Sequence, residues 1–209
     1  MLYAPFIALG YLAGSITFGY WTVRWLKGVD IRAVGSHNLG ATNVLRTYGW
    51  GWGISVMLLD ILKAFGPTLA ATLVVGHLCG VLTGAAAMIG HARPVFLKFA
   101  KGGKMVATAG GAFLGVAPLL GLAGVGVWVV LFLVTRYASV SSILAAASLA
   151  PLAYGLGYPW PVIAFGGAAG VGVLVLHRAN VRRLLAGEEN RVEFRRRKAR
   201  RATEVAPSR

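Results

Sequence analysis

The chain has 209 residues, 57% of them hydrophobic and 13% charged, with a mean hydropathy of +0.69. Soluble domains carry about 25% charged residues, so this composition excludes a water-soluble globule and points to an all-α, polytopic transmembrane bundle. The formal net charge of +15 comes from 21 Lys and Arg against six acids; in a membrane protein that excess belongs to cytoplasmic loops, and with no interleaved aromatics it gives no support to a nucleic-acid partner.

In chain order, residues 3–23 form the first expected span, which lacks the basic n-region of a cleaved signal peptide and is expected to be retained. Arg24, Lys27, Arg32 and Arg46 follow as a basic group. Residues 51–76 and 78–97 form the next two spans, meeting at an uncharged turn near Gly76-His77. Asp60 and Lys63 stand three residues apart inside the first of these, and charges at that depth are costly unless paired; the pair is expected to be structural. A second basic group, Arg93, Lys98, Lys101 and Lys104, precedes the segment 105–135, which is too long for one untilted span. Pro118, with glycines at 115, 121 and 124, divides it into two short spans. After Arg136, residues 140–157 and 160–177 form the last pair around Gly157-Tyr158-Pro159-Trp160-Pro161, whose aromatics suit an interface. Seven spans result, with the N-terminus outside and the C-terminus inside. The expected outer connections carry no Lys, Arg, Asp or Glu, and each inner one is basic. Residues 1–190 are expected to form the membrane domain and 191–209 a basic cytoplasmic tail that contacts anionic lipid.

Four polar segments are expected on the inner face. Gly35-Ser36-His37-Asn38-Leu39-Gly40-Ala41-Thr42-Asn43, followed by Arg46, combines turn-forming glycines with short polar side chains ahead of a helix start. Exposed N–H groups in such a turn favour an anion, although an ordinary membrane-flanking loop has similar composition. Lys101-Gly102-Gly103-Lys104 opens an apolar helix and suits a phosphate or, equally, a topology signal with a flexible turn. Upstream of it, His91 has the standing of a hydrogen-bonded structural residue. Arg136-Tyr137-Ala138-Ser139-Val140-Ser141-Ser142 offers hydroxyls that taken alone read as helix caps. In the fourth segment His177 and Asn180 share a helical face.

So few carboxylates lie at membrane depth that neither a divalent-metal site nor a proton relay can readily assemble, and one Cys leaves no disulfide framework. None of the four histidines has an Asp five residues on, so the usual His–Asp base of glycerolipid acyltransferases is missing. The expected site is cationic, metal-free and without cofactor.

At these segments the chain resembles the bacterial acyl-phosphate:glycerol-3-phosphate acyltransferases, a seven-span membrane family. Gly35 to Arg46 resembles Gly-Ser-Gly-Asn-x-Gly-Ala-Thr-Asn-Val-x-Arg, and Gly90 to Leu97 resembles Gly-His-x-x-Pro-Val-Phe-Leu. Gly102 to Thr108, Arg136 to Ser142 and His177 to Glu189 resemble three further motifs, in order. The resemblance implies acyl transfer from an acyl phosphate to the sn-1 hydroxyl of glycerol 3-phosphate, giving lysophosphatidic acid and phosphate without a covalent intermediate, on the cytoplasmic side of a bacterial inner membrane. It implies Lys104, His177 and Ser36 as catalytic residues, His177 either as general base or, as favoured, as a positioning group. It implies Gly35, Asn38, Gly40, Thr42, Asn43, Arg46, Gly102, Gly103, Ser142 and Asn180 as substrate-binding. The implied partners are the two substrates and membrane lipids, with a monomer compatible. His37 and Met105 stand where the family has Gly, Ala64 replaces another Gly, and Ala100 is a one-residue insertion; side chains at 37 and 105 are expected to reshape the cradle. Two alternatives are a divergent paralogue with another donor and a phosphate-ester transporter, although no inverted repeat of the transporter kind is visible.

Overall fold

The structure, a computed structural model, describes residues 2–193; the expected basic tail lies outside the described residues from 194 onward. Among the described residues there are ten α-helices, two short 3-10 turns (Ile31–Ala33 and Val95–Leu97) and no strand: α1 (Tyr3–Ser15), α2 (Phe18–Lys27), α3 (Ala41–Tyr48), α4 (Trp50–Val74), α5 (His77–Ala92), α6 (Val106–Val116), α7 (Pro118–Thr135), α8 (Ala138–Gly155), α9 (Trp160–Leu176) and α10 (Arg178–Leu185). Among the described residues, the Tyr3–Lys27 stretch, α4, α7 and α8 are long and apolar enough to cross a membrane, and α9 with α10 makes a fifth if the bent pair is one span. Many exposed residues on these helices are Leu, Val and Ile, such as Leu58, Leu62, Val130 and Leu133, which suits a lipid-facing surface.

The helix ends differ from the sequence expectation where backbone chemistry interrupts an apolar run. The first stretch is broken, because Ile16 is extended (φ −71°, ψ 103°) and α2 restarts at Phe18. Lys63 on α4 holds the break, its Nζ donating to the Ile16 carbonyl at 2.7 Å. Helix α5 stops at Ala92 instead of reaching 97, since Arg93 precedes Pro94 and the residue before a proline is pushed out of the helical region. The split expected near Pro118 is present: Ala117 leaves the helical region (φ −151°, ψ 78°) and Pro118 opens α7, where its missing N–H costs nothing. Helix α6, at 11 residues, is only about 16 Å long, half of a hydrocarbon core of about 30 Å.

Small residues let these helices pack closely. Gly10 and Gly14 lie on the face of α1 against α5, where a Cβ on Gly14 would collide with the Ala87 backbone. This spacing is the small-xxx-small pattern of membrane helix pairs. The main core joins α4, α5, α6, α7, α8 and α9, with Phe113 stacked on Phe165 at 4.5 Å between centroids and Val116, Leu120, Leu149 and Val162 around them. One end of the bundle gathers the segments between α2 and α4, between α5 and α6, between α7 and α8, and after α9, and together they line a single cavity.

Candidate active site

The cradle at residues 34–43 is organised by Asn43, which is buried. Its Nδ2 donates to the Val34 and Asn38 carbonyls, both at 3.0 Å, and its Oδ1 accepts the Ser36 N–H at 2.8 Å. Asn38 turns the chain again by accepting the Gly40 N–H at 2.9 Å, the local Asx bond that competes with helix and favours a turn. Helix α3 then starts without a side-chain cap, and Gly40, Ala41 and Thr42 line the cavity. A helix start of this kind presents unpaired N–H groups and a partial positive charge.

Opposite the cradle stands Lys104, whose Nζ donates to Asn180 Oδ1 at 2.5 Å. Asn180 Nδ2 donates in turn to Glu189 Oε1 at 2.7 Å, and the same oxygen accepts the Ser139 hydroxyl at 2.9 Å. Arg183 Nε completes the carboxylate at Oε2, 2.7 Å away. Burial holds the Lys104 ammonium down to about 8; Glu189 raises it, while Arg183, Lys101 and Arg46 push it lower. Burial works to raise the Glu189 carboxyl, but the hydrogen bonds from Asn180, Ser139 and Arg183 outweigh it and hold the group below its ordinary value. The Nδ1 of His177 donates to the Val173 carbonyl at 2.8 Å, which fixes the tautomer and leaves Nε2 as an acceptor.

The segment after α10 closes over this end. Arg46 Nη2 donates to the Asn190 carbonyl at 2.8 Å. The Val192 N–H donates to the Arg136 carbonyl at 2.9 Å, and the Val192 side chain is buried with Phe132 and Ala138. A buried ionic group forms part of the cavity wall, with Asp60 and His91 lining it and Lys63 behind them: Lys63 Nζ is 2.7 Å from Asp60 Oδ1 and 2.9 Å from His91 Nδ1.

The cavity has a volume of about 670 Å³. Its polar end carries Ser36, Asn38, Arg46, Lys104 and His177, and its apolar end runs between α4, α6, α7 and α8 past Ile61, Phe113, Val129 and Leu149. Gly35, Ser36, Asn38, Gly40, Thr42, Asn43, Arg46, Lys104, Ser142, His177 and Asn180 all line it. Gly102 and Gly103, expected to bind substrate, do not line it, and their N–H groups donate to the Ala92 and His91 carbonyls, at 2.9 and 3.0 Å. Asn43 and Ser142 line the cavity with their hydrogen bonds already committed, Ser142 donating to the Ala138 carbonyl at 2.6 Å and accepting Trp128 Nε1 at 3.1 Å. The Met105 side chain packs against the main core and does not line the cavity, whereas His37 does. The sequence assigns no role to Glu189, Ser139 and Arg183; an acid a few residues beyond Arg182 and Arg183, inside the resembling motif, was the one signal available. Among the described residues no three His, Cys, Asp or Glu side chains gather as a metal ion would need.

A family model described as glycerol-3-phosphate acyltransferase matches residues 4–187. A glycerol-3-phosphate acyltransferase of Desulforudis audaxviator is 43% identical over 190 residues, covering 90% of this chain and 95% of the relative. One from Aquifex aeolicus is 45% identical over 187 residues, covering 88% and 96%. The solved glycerol 3-phosphate form of PlsY (YgiH), an integral membrane glycerol 3-phosphate acyltransferase, superposes with a TM-score of 0.87 at 42% identity, covering 92% of this chain and 96% of that one. Sequence, fold and the lining of the cavity agree: the chain belongs to the glycerol-3-phosphate acyltransferase family.

Proposed function

We propose that the protein transfers a fatty acyl group from an acyl phosphate to the sn-1 hydroxyl of glycerol 3-phosphate, releasing lysophosphatidic acid and phosphate. The observation that carries this reading is one continuous cavity, cationic with a glycine-rich cradle at one end and apolar between helices at the other. Both substrates have a phosphate for the first part, and the donor has an alkyl chain for the second. Forms of PlsY solved with glycerol 3-phosphate and with lysophosphatidic acid support the same pair of ligands.

In this reading the cradle with Ser36 and Asn38, flanked by Arg46, takes a phosphate, and Lys104 with Asn180 takes the other. The attacking hydroxyl donates to His177 Nε2, which orients it toward the acyl carbon. The carbon–oxygen bond to the glycerol forms as the bond to the leaving phosphate breaks. The proton leaves to His177 or to an oxygen of the departing phosphate, and Lys104 stabilises the charge that develops. The donor arrives activated, so neither a covalent intermediate nor a cofactor is called for. The basic inner connections support a seven-span arrangement with this end in the cytoplasm, and hence a bacterial inner membrane location; of the expected tail 191–209, Val192 packs into the bundle, and the residues beyond 193 act as a lipid-contacting tail.

Detergent-purified protein given palmitoyl phosphate and glycerol 3-phosphate should release phosphate and lysophosphatidic acid in equal amounts. The Lys104→Ala variant should insert normally and lose turnover by about three orders of magnitude. Turnover with palmitoyl-CoA but not with the acyl phosphate would replace the donor, and full activity in the variant would overturn the site.

A further inference from the structure

The buried group at Asp60, Lys63 and His91 is unused in the mechanism above, yet it lies directly under the loop that carries Lys104. The Lys63 ammonium has three close oxygen or nitrogen neighbours: the Ile16 carbonyl at 2.7 Å, Asp60 Oδ1 at 2.7 Å and His91 Nδ1 at 2.9 Å. An ammonium has three donors and no acceptor, so His91 must accept at Nδ1 and its ring orientation is fixed. The ring's other edge faces Gly103. A Cβ built on Gly103 would strike His91 Nε2, Cε1 and Cδ2, so the Gly103 backbone rests on the imidazole edge. The same two residues are tied through the main chain, the Gly103 N–H donating to the His91 carbonyl at 3.0 Å. Lys104 is the next residue, and its Nζ reaches Asn180.

We propose that His91, oriented by Lys63, is a positioning residue that sets the height and direction of the Gly102-Gly103-Lys104 turn and so places the Lys104 ammonium in the site. The proposal rests on the acyltransferase reading. It also gives the glycine pair a purpose: a side chain at 103 is excluded by the imidazole, whatever the phosphate does. The ammonium thereby links the break in the first span to the catalytic loop, since one Lys63 holds both the Ile16 carbonyl and the ring.

The test is His91→Asn, which keeps an acceptor where Nδ1 was, satisfying Lys63, and removes the edge beneath Gly103. The wild type is measured first in the palmitoyl phosphate assay. A wild type without turnover overturns the functional reading, and with it the premise, before any variant is made. With an active wild type, His91→Asn should keep its melting temperature in detergent and lose about a hundredfold in kcat/KM for glycerol 3-phosphate, the scale of a 1 Å misplacement. Its alkaline limb should also move upward, because a loosened Lys104 regains water. The charged and titratable groups around that ammonium are Lys101 on its own loop, Arg46 on α3, His177 and Arg183 at α10, and Glu189 beyond it; none is altered. Should His91→Asn fail to fold, Gly103→Ala decides by pressing on the ring from the other side. A loss of turnover with a moved limb supports the proposal, and its relief in His91→Ala/Gly103→Ala locates the cause in that contact. Wild-type turnover and an unmoved limb in a folded His91→Asn, or fully additive losses in the double variant, overturn it.

Discussion

Lys104 is half-buried, with Glu189 as an opposing charge nearby and Arg46, Lys101 and Arg183 as like charges. Its ammonium is therefore easier to deprotonate than an ordinary lysine, at about 8. The cation is what holds a phosphate, so kcat/KM is expected to be level below that pH and to fall tenfold per unit above it, a profile measured on the free enzyme. A bound anion favours the cation, so the limb in kcat at saturating substrate should lie higher. An alkaline limb equally placed in Lys104→Arg would assign the titration to another group. His37 and Met105 also belong at this scale. Both adopt left-handed backbone, φ 57° and 67°, which glycine enters without penalty and other residues enter at about 1–2 kcal/mol. That explains why the resembling motifs have glycine there. His37 recovers part of the cost through its Nδ1–H, which donates to the Arg32 carbonyl at 2.8 Å, and Met105 through its contact with the core.

At the scale of elements, the segment from Glu189 to Val192 ties α3, α7, α8 and α10 together. Glu189 joins Ser139, Asn180 and Arg183, Asn190 takes Arg46, and Val192 fills a gap beside Phe132. A chain ending at 188 should lose activity by at least about a hundredfold, because Asn180 and Arg183 lose a charged partner and such buried bonds cost roughly 1.5–3 kcal/mol each. A chain ending at 193 should retain most turnover. Equal activity in both, measured per folded molecule, would show that the segment is dispensable. The convergence of four polar segments was legible because each sits between apolar runs on the side rich in Lys and Arg. Helix boundaries were less so: apolar periodicity does not reveal that Ile16 interrupts its helix, since the stabilising ammonium comes from residue 63. The hydrogen bonds of Gly102-Gly103 were not legible for a related reason, as their partners Ala92 and His91 approach only through the fold.

For the whole molecule, the apolar end of the cavity should set how long an acyl chain is accepted. Gly110 on α6 lines that end, and a Cβ there would have only Val125 Cγ2 near it, at 4.0 Å. Gly110→Leu should enter the slot without disturbing the backbone. Each methylene displaced from it costs about 0.8 kcal/mol, so kcat/KM for palmitoyl phosphate should fall by more than that for octanoyl phosphate. Equal losses for both donors would place the chain elsewhere. The bundle architecture, its membrane character and the end that carries the site followed from charge and hydropathy; the shape of the slot did not, because it depends on how four helices splay.

The closing segment also has a consequence for how the protein is made. The cradle begins at Gly35, but Glu189, Asn190 and Val192 lie close to the end of the described chain and complete the opposite wall. During synthesis the helices up to α8 can enter the bilayer while that wall is still inside the ribosome. The nascent protein is thus a membrane-embedded but unfinished enzyme, and acyl transfer can begin only once the last part of the site has emerged.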